Sequence, residues 1–458
     1  MKKIAAYICL GLASVAFSSC DDYLEVKTYG QKLPETAEDY ATLLATQLDA
    51  FEKNAATEKY FGNFAKVLEI ECYSDNLNAS LLTKEDSYNM PLYVGAQVSA
   101  TQYRFKEMYD RIKDHNIIID NLEDRDSELG KTLLGVSHAM RGALYFRMMR
   151  DLCEAYYPAR ANAIPGLPIV EHFDMEAKPS RGSIEDLISF IVRDLKDAIE
   201  YNVTDEKYHF TVDAARGYLA RTYFWGQQWD NAINEAKQLL EKYPLLSGND
   251  YKSMIQSEKN KMGNVILKTY TTGSSTRYKN YNKYSKYRPV DINLLKLFVE
   301  GKRDIRYTFY FDKDFCNAKG VNNRMRTAEM CLIIAESYAH LGNEGEALRY
   351  LNMLREHRIS DYTPLTMQNL PAVDPNQLIK VDATGIELTP LMQAILNERR
   401  KELFMEADRW YELKRNGSPE FWVGYNGVKY VTEKHLYTFP ISPRELKLNT
   451  NLVQNPGY

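Results

Sequence analysis

Apolar residues recur every three or four positions through most of this chain, the spacing of helices with one buried face. Thr36 to Asn54 carries Tyr40, Leu43, Leu44, Leu48 and Phe51 on one side. Gln97 to Glu123 carries Tyr103, Met108, Tyr109, Ile112, Ile117, Ile119 and Leu122. Lys131 to Tyr156 is a further helix, with Gly135, Ala139, Gly142 and Ala143 as a small face. Ser183, with Asp186 three residues on, reads as the N-cap of a helix running to about Glu200. Three stretches keep no sustained period: Glu69 to Val94, Pro244 to Arg324 and Ile359 to Thr389. Within the second, Val265-Ile266-Leu267 has strand composition. Pro390 to Arg415 holds a last helical pair, and Gly417 to Tyr458 holds short apolar runs that end in a loop.

Two stretches repeat one another. In Thr211 to Pro244, Leu219, Ala220, Tyr223, Ala232, Ala236 and Pro244 meet the tetratricopeptide pattern in order. In Arg326 to Arg358, Ile334, Ala335, Tyr338, Gly342, Ala347 and Leu351 fall at the same relative positions. Small residues let two helices approach closely, and the large ones fill the holes between them. The expected fold is mainly α, a tetratricopeptide-like scaffold of about four helix pairs with large irregular insertions and a few short strands. The pairs fall at about 97–156, 211–244, 326–358 and 390–415, and the insertions at about 69–94, 245–324 and 359–389. After a leader of residues 1–19, residues 20–458 form one domain.

The leader has Lys2 and Lys3, then an apolar run from Ile4 to Phe17, too short for a transmembrane anchor. Ser18-Ser19-Cys20 resembles the lipobox of bacterial lipoproteins, which makes Cys20 the lipidation site, although Phe17 stands where an aliphatic residue is usual. Asp21-Asp22 resembles the surface-export signal of Bacteroidetes lipoproteins. Losing Lys2 and Lys3 takes the 58 basic residues to 56 against 62 acidic ones, so the formal charge moves from −4 to −6. That mildly acidic chain has no basic run to attract nucleic acid. Cys72, Cys153, Cys316 and Cys331 are widely spaced and form neither a disulfide framework nor a zinc pattern; Cys153 and Cys331 read as inert core residues. Tyr is unusually frequent, 34 against 17 Phe and 4 Trp, and its flat ring with a polar edge suits wet recognition surfaces.

Glu398-Arg399-Arg400-Lys401-Glu402-Leu403, then Phe404, Glu406, Arg409-Trp410-Tyr411 and Leu413-Lys414-Arg415, resemble the last repeat of the SusD/RagB-like outer-membrane lipoproteins. The tail, Phe439-Pro440-Ile441-Ser442-Pro443, Glu445, Asn449 and Gln454-Asn455-Pro456-Gly457-Tyr458, resembles that family's ending. The residues themselves allow a solvated, salt-bridged helix face, but Leu396, Leu403, Phe404, Trp410 and Leu413 leave little room for one. Glu398, Arg399, Glu406 and Arg409 are therefore expected to form structural ion pairs.

The resemblance implies a cell-surface protein that captures oligosaccharides, or in some members peptides, and closes a SusC-like TonB-dependent transporter as its lid. Ligand would be held by loops around the helical scaffold. The resemblance carries no ligand residue over by motif. The irregular segments supply suitable side chains in two places: Tyr73, Asp75, Asn76, Asn78, Tyr88 and Tyr93, then Tyr270, Arg277, Tyr278, Asn280, Tyr281, Tyr284 and Tyr287. Trp422 is a further candidate, and each of these has core packing as its plain alternative. No enzyme is expected. The seven His are isolated, with no HExxH, GxSxG or phosphate-binding loop. No cofactor is named by the residues, and a structural calcium ion stays open. A peptide-binding member, or an interaction scaffold of the same fold, is the alternative to glycan capture.

Overall fold

The computed structural model describes residues 34–52, 64–80, 95–100, 105–174, 176–256, 265–267, 287–319, 325–425 and 427–458. Several of its helices begin where a side chain satisfies an open backbone donor of the first turn. Helix α1 is Ala37–Glu52, α2 Phe64–Tyr73 and α3 Phe105–Asn121. Helix α4, Glu128–Leu152, is capped by Ser127, which accepts from Gly130 N at 3.0 Å. Helix α5, Ile184–Glu200, opens on the expected box: Ser183 Oγ accepts from Asp186 N at 3.0 Å, and Asp186 Oδ2 accepts from Ser183 N at 3.1 Å.

The repeat follows. Helices α6 (Val212–Trp225) and α7 (Trp229–Lys242) form one hairpin, with α8 (Gly248–Gln256) after it; α9 (Thr327–His340) and α10 (Glu344–Glu356) form another. Equivalent positions turn the chain in both. Gln227 has φ 55° and Gly342 has φ 74°. Gly adopts that region freely, whereas Gln227 is held there by its side chain, which donates to Ala383 O at 2.8 Å. Helix α4 packs on α5, α5 on α6, α6 on α7, and α7 on α9, so neighbour stacks on neighbour as in a solenoid. Helices α11 (Pro390–Glu402) and α12 (Arg409–Arg415) close the series.

Small residues set the spacing. Ala220, Ala232 and Ala236 are wholly buried, and a Cβ on Gly142 of α4 would sit 2.8 Å from Leu195 Cδ2 of α5. Ala220→Leu should therefore lower unfolding free energy by roughly 1–3 kcal/mol in urea titrations, since three carbons have no room at the crossing. Wild-type stability in that variant would contradict the close-packed crossing.

Two short antiparallel ribbons are present among the described residues. Strands β1 (Val265–Leu267) and β2 (Met325–Arg326) pair, and β3 (Phe421–Tyr425) pairs with β4 (Val428–Thr432), Trp422 facing Val431. One buried apolar cluster runs from Ala37 to Leu452. Among the described residues, Cys72, Cys153, Cys316 and Cys331 are buried and free. No helix of the described residues is long and apolar enough to cross a membrane.

Three expectations need correction. Glu69 to Tyr73 is the end of α2, because Phe64 to Leu68 extends its period backwards. The helix expected from Gln97 begins at Phe105. The tail forms the β3–β4 ribbon, for which Asn426-Gly427 was the available turn signal.

Candidate functional site

The residues that position the site are buried charges on α11 and just beyond it. Glu398, Glu402 and Glu406 are spaced four apart and meet cations from distant segments. Glu402 accepts from Arg306 Nη1 at 3.0 Å, Arg326 Nη1 at 2.5 Å, and Arg358 Nε and Nη2 at 2.9 Å. Glu398 accepts from Arg355 Nη1 at 2.7 Å and lies 3.0 Å from Lys401 Nζ. Glu406 pairs with Lys319 at 2.5 Å and Arg326 at 2.9 Å. Burial alone would raise the Glu402 carboxyl; Arg358, Arg326 and Arg306 hold it well below the usual range instead. Burial pushes Lys319 down to about 8, against the pull of Glu406. Arg399 pairs with Asp408 at 2.6 Å and Arg409 with Glu412 at 2.7 Å. The motif is thus a structural ion network, as its apolar neighbours required.

The network has a consequence in acid. Glu398, Glu402, Glu406 and Asp75 all have folded pKa values below their ordinary ones. Their stabilisation is present above the unfolded values of roughly 4 and is lost as pH falls through the folded ones. The loss of these four should lower urea midpoints between about pH 5 and pH 3; a midpoint that does not fall between those two values would contradict this.

The outer side of the same helices clamps the stretch after α2. Arg400 donates to Asn76 Oδ1 at 2.9 Å and Asp75 O at 2.6 Å; Arg409 holds both Asp75 oxygens at 2.7 and 2.9 Å. Asn76 O in turn accepts from Asp291 N at 2.9 Å, Asn78 N donates to Pro289 O at 2.9 Å, and Leu77 and Val290 form a β-bridge. The described stems of the two Tyr-rich segments are therefore joined side by side. Ser80 Oγ donates to Gly424 O of β3, which brings the ribbon to the same place.

A cavity of about 340 Å³ opens at this junction. Asn78, Ser80, Asn293, Gln377, Arg400 and Trp422 are among its walls. Trp422 is 62% exposed although it is the largest side-chain type, and Lys429 Nζ stands 5.2 Å from its ring centroid. A flat apolar ring beside amide and hydroxyl groups offers stacking on one surface and paired donors and acceptors on the others.

The sequence candidates separate. Asp75 and Asn78 line the cavity, and Asp75 is already engaged by two arginines. Tyr73 and Asn76 are turned inward, 2% and 1% exposed. The Tyr73 ring packs 5.6 Å from Trp410 and its hydroxyl donates to Glu69; Asn76 is spent on Glu71 and Arg400. Tyr88, Tyr93, Tyr270, Arg277, Tyr278, Asn280, Tyr281 and Tyr284 lie outside the described residues, as does Cys20. Trp422, next to Phe421 in the lining, is the strongly exposed aromatic at this cavity. Asn293, Asn376, Gln377 and Arg400 escaped the sequence reading; the Asn and Gln of the Pro- and Asp-rich excursion were the available signal.

A grouping also missed is His138, Asp194 and Asp197, whose ligand-type atoms lie within 4.8 Å of one another. Arg141 already grips Asp194 at 2.7 and 2.9 Å, and His138 Nδ1 is 2.5 Å from it. That set does not suit calcium, which takes six to eight oxygens.

A helical-repeat scaffold that gathers irregular segments around an aromatic-edged cavity is the architecture of a binding protein. The sequence profile of the SusD family matches residues 113–458, and the chain belongs to that family. Two SusD-like proteins of Formosa agariphila are similar, one 25% identical over 258 residues, the other 33% over 135. Those matches span 55% and 29% of this chain, and only 45% and 24% of the relatives. A SusD superfamily structure from Bacteroides vulgatus superposes with TM-score 0.70 at 18% identity, over 93% of this chain and 100% of the other. A SusD-like carbohydrate binding protein from the same species gives 0.64 at 18%, over 92% and 98%. At such identities the structures establish the fold.

Proposed function

We propose that this chain is a cell-surface lipoprotein that captures oligosaccharide in the cavity beside Trp422 and delivers it to a SusC-like TonB-dependent transporter, closing over it as a lid. The observation that carries the reading is the exposed Trp422 ring at a cavity walled by Asn78, Asn293 and Gln377, where both Tyr-rich segments emerge. Sugar rings stack on aromatic faces while their hydroxyls bond amides. In this reading Tyr88, Tyr93, Tyr270, Arg277, Tyr278, Tyr281 and Tyr284 extend the same site. The SusD membership and the carbohydrate-binding relative support it. The work is binding, not catalysis. Cys20 would carry the lipid that holds the protein at the outer membrane, each buried methylene contributing ~0.8 kcal/mol. Calorimetry of the chain from Asp21 onward against polysaccharides, their oligosaccharides and mixed peptides tests the reading. Binding to one glycan class supports it; binding to peptides alone replaces it with the peptide-binding alternative.

A further inference from the structure

A second and larger cavity, of about 600 Å³, shares no lining residue with the first. Its walls come from the segment after α4, the loop around Asp382, the end of α12, and the residues that follow β4. All of these lie within the described residues. The charged residues on its lining are Arg160, Lys414, Arg415 and Lys434 against Glu154 and Asp382, a formal excess of two positive charges.

The partners localise that imbalance on the two lysines. Asp382 turns one oxygen back onto its own loop, accepting from Thr384 N at 2.8 Å and Ile386 N at 3.1 Å, and its other oxygen lies 3.7 Å from His340. Glu154 stands 3.6 Å from Arg160, and Arg415 is paired with Glu336 at 2.7 Å. The two lysines differ from these. Lys414, buried in the wall, donates to the carbonyl of Arg150 at 2.6 Å, a neutral acceptor. Among the described residues no carboxylate lies within ion-pair distance of Lys414 or of the exposed Lys434. Asp151 and Glu154 act on the Lys414 ammonium only from beyond contact distance and do not offset its burial, so an anion brought to the wall would favour it. Burial pushes Lys414 down to about 8, so it remains largely charged at neutral pH. Beside these cations stands Tyr157, 42% exposed, its ring carbon Cε2 3.6 Å from where a Cβ on Gly385 would sit.

We infer that this cavity is a separate binding site for a carboxylate-bearing sugar, a hexuronate unit that meets Lys434 and Arg160 at the rim, stacks on Tyr157 and directs its carboxylate toward the wall that holds Lys414. That the anion belongs to a saccharide rests on the glycan-capture reading; the preference for an anion rests on the lining charges alone.

The test is calorimetry with trigalacturonate and neutral galactotriose as probes, on wild type, Lys434→Glu, Tyr157→Ala and Trp422→Ala. Trigalacturonate should bind at least roughly tenfold tighter than galactotriose, and more weakly as salt rises, because the rim charges are exposed. Lys434→Glu should weaken trigalacturonate at least roughly tenfold with unchanged circular dichroism, since Lys434 is exposed. Equal affinity for the two probes, or full trigalacturonate binding by Lys434→Glu and Tyr157→Ala, overturns the inference. If Trp422→Ala abolishes trigalacturonate binding while Lys434→Glu does not, the acidic sugar sits in the ribbon cavity; this inference then fails and glycan capture stands. Silence with both probes also overturns it, whereas glycan capture falls only if the wider polysaccharide panel is silent too.

Discussion

Replacing Glu402 with Ala should cost the protein about 3–5 kcal/mol of unfolding free energy, the largest effect expected of any single substitution here. Glu402 is wholly buried and is the shared acceptor of three guanidinium groups, whose side chains are at most 1% exposed. Two of them would keep other carboxylates. Arg306 retains Asp304 at 2.6 Å, and Arg326 retains Glu406 at 2.9 Å. Arg358 would be left with the carbonyls of Leu246 at 2.6 Å and His357 at 3.2 Å, and with the face of Tyr251 3.7 Å away. A buried charge without a counter-charge is what makes the loss large, so the penalty lies in the orphaned Arg358 more than in the lost contacts. Glu402→Ala combined with Arg358→Met should therefore recover part of the stability that Glu402→Ala loses. Urea unfolding followed by circular dichroism reads both. A loss under about 1 kcal/mol, or a double variant weaker than the sum of its parts, would contradict this account of the network.

Much of the scaffold was legible because it is local. The small-residue pattern around Ala220 and Ala335, the turn at Gly342, and the Ser183 box are fixed by residues within a few positions of one another. The spacing of Glu398, Glu402 and Glu406 among Leu396, Leu403 and Phe404 was also enough to expect buried ion pairs. Their partners were not legible. Arg306, Arg326, Arg355 and Arg358 arrive from separate segments, and no periodicity in one segment reports what another brings to it. The site was half legible for the same reason. Asn and Tyr around Asp75 have the composition of a recognition surface, but composition does not say which side of the backbone faces inward. The clamp by Arg400 and Arg409 turns Asn76 into the core and leaves Asn78 at the cavity. Trp422 carried an equal expectation of core packing, and only its place on a two-stranded ribbon leaves it exposed.

Trp422→Ala should weaken oligosaccharide binding by roughly 10- to 100-fold, about 1.4–2.8 kcal/mol, while leaving stability nearly unchanged. The two halves of that expectation have separate grounds. An indole offers the largest stacking surface of any side chain, and its removal takes away apolar area that a sugar face would cover. Folding loses little because the ring is already 62% exposed and lies on a ribbon outside the helical stack. The described walls, Asn78, Asn293 and Gln377, would remain to bond hydroxyls, so residual weak binding is expected rather than none. The measurement that bears most directly on the proposed function is a side-by-side calorimetric titration of wild type and Trp422→Ala with the best glycan from the panel. The account predicts a saturable wild-type isotherm and a variant at least tenfold weaker with an unaltered melting curve. Equal affinities in the two proteins would contradict the placement of the ligand at this cavity.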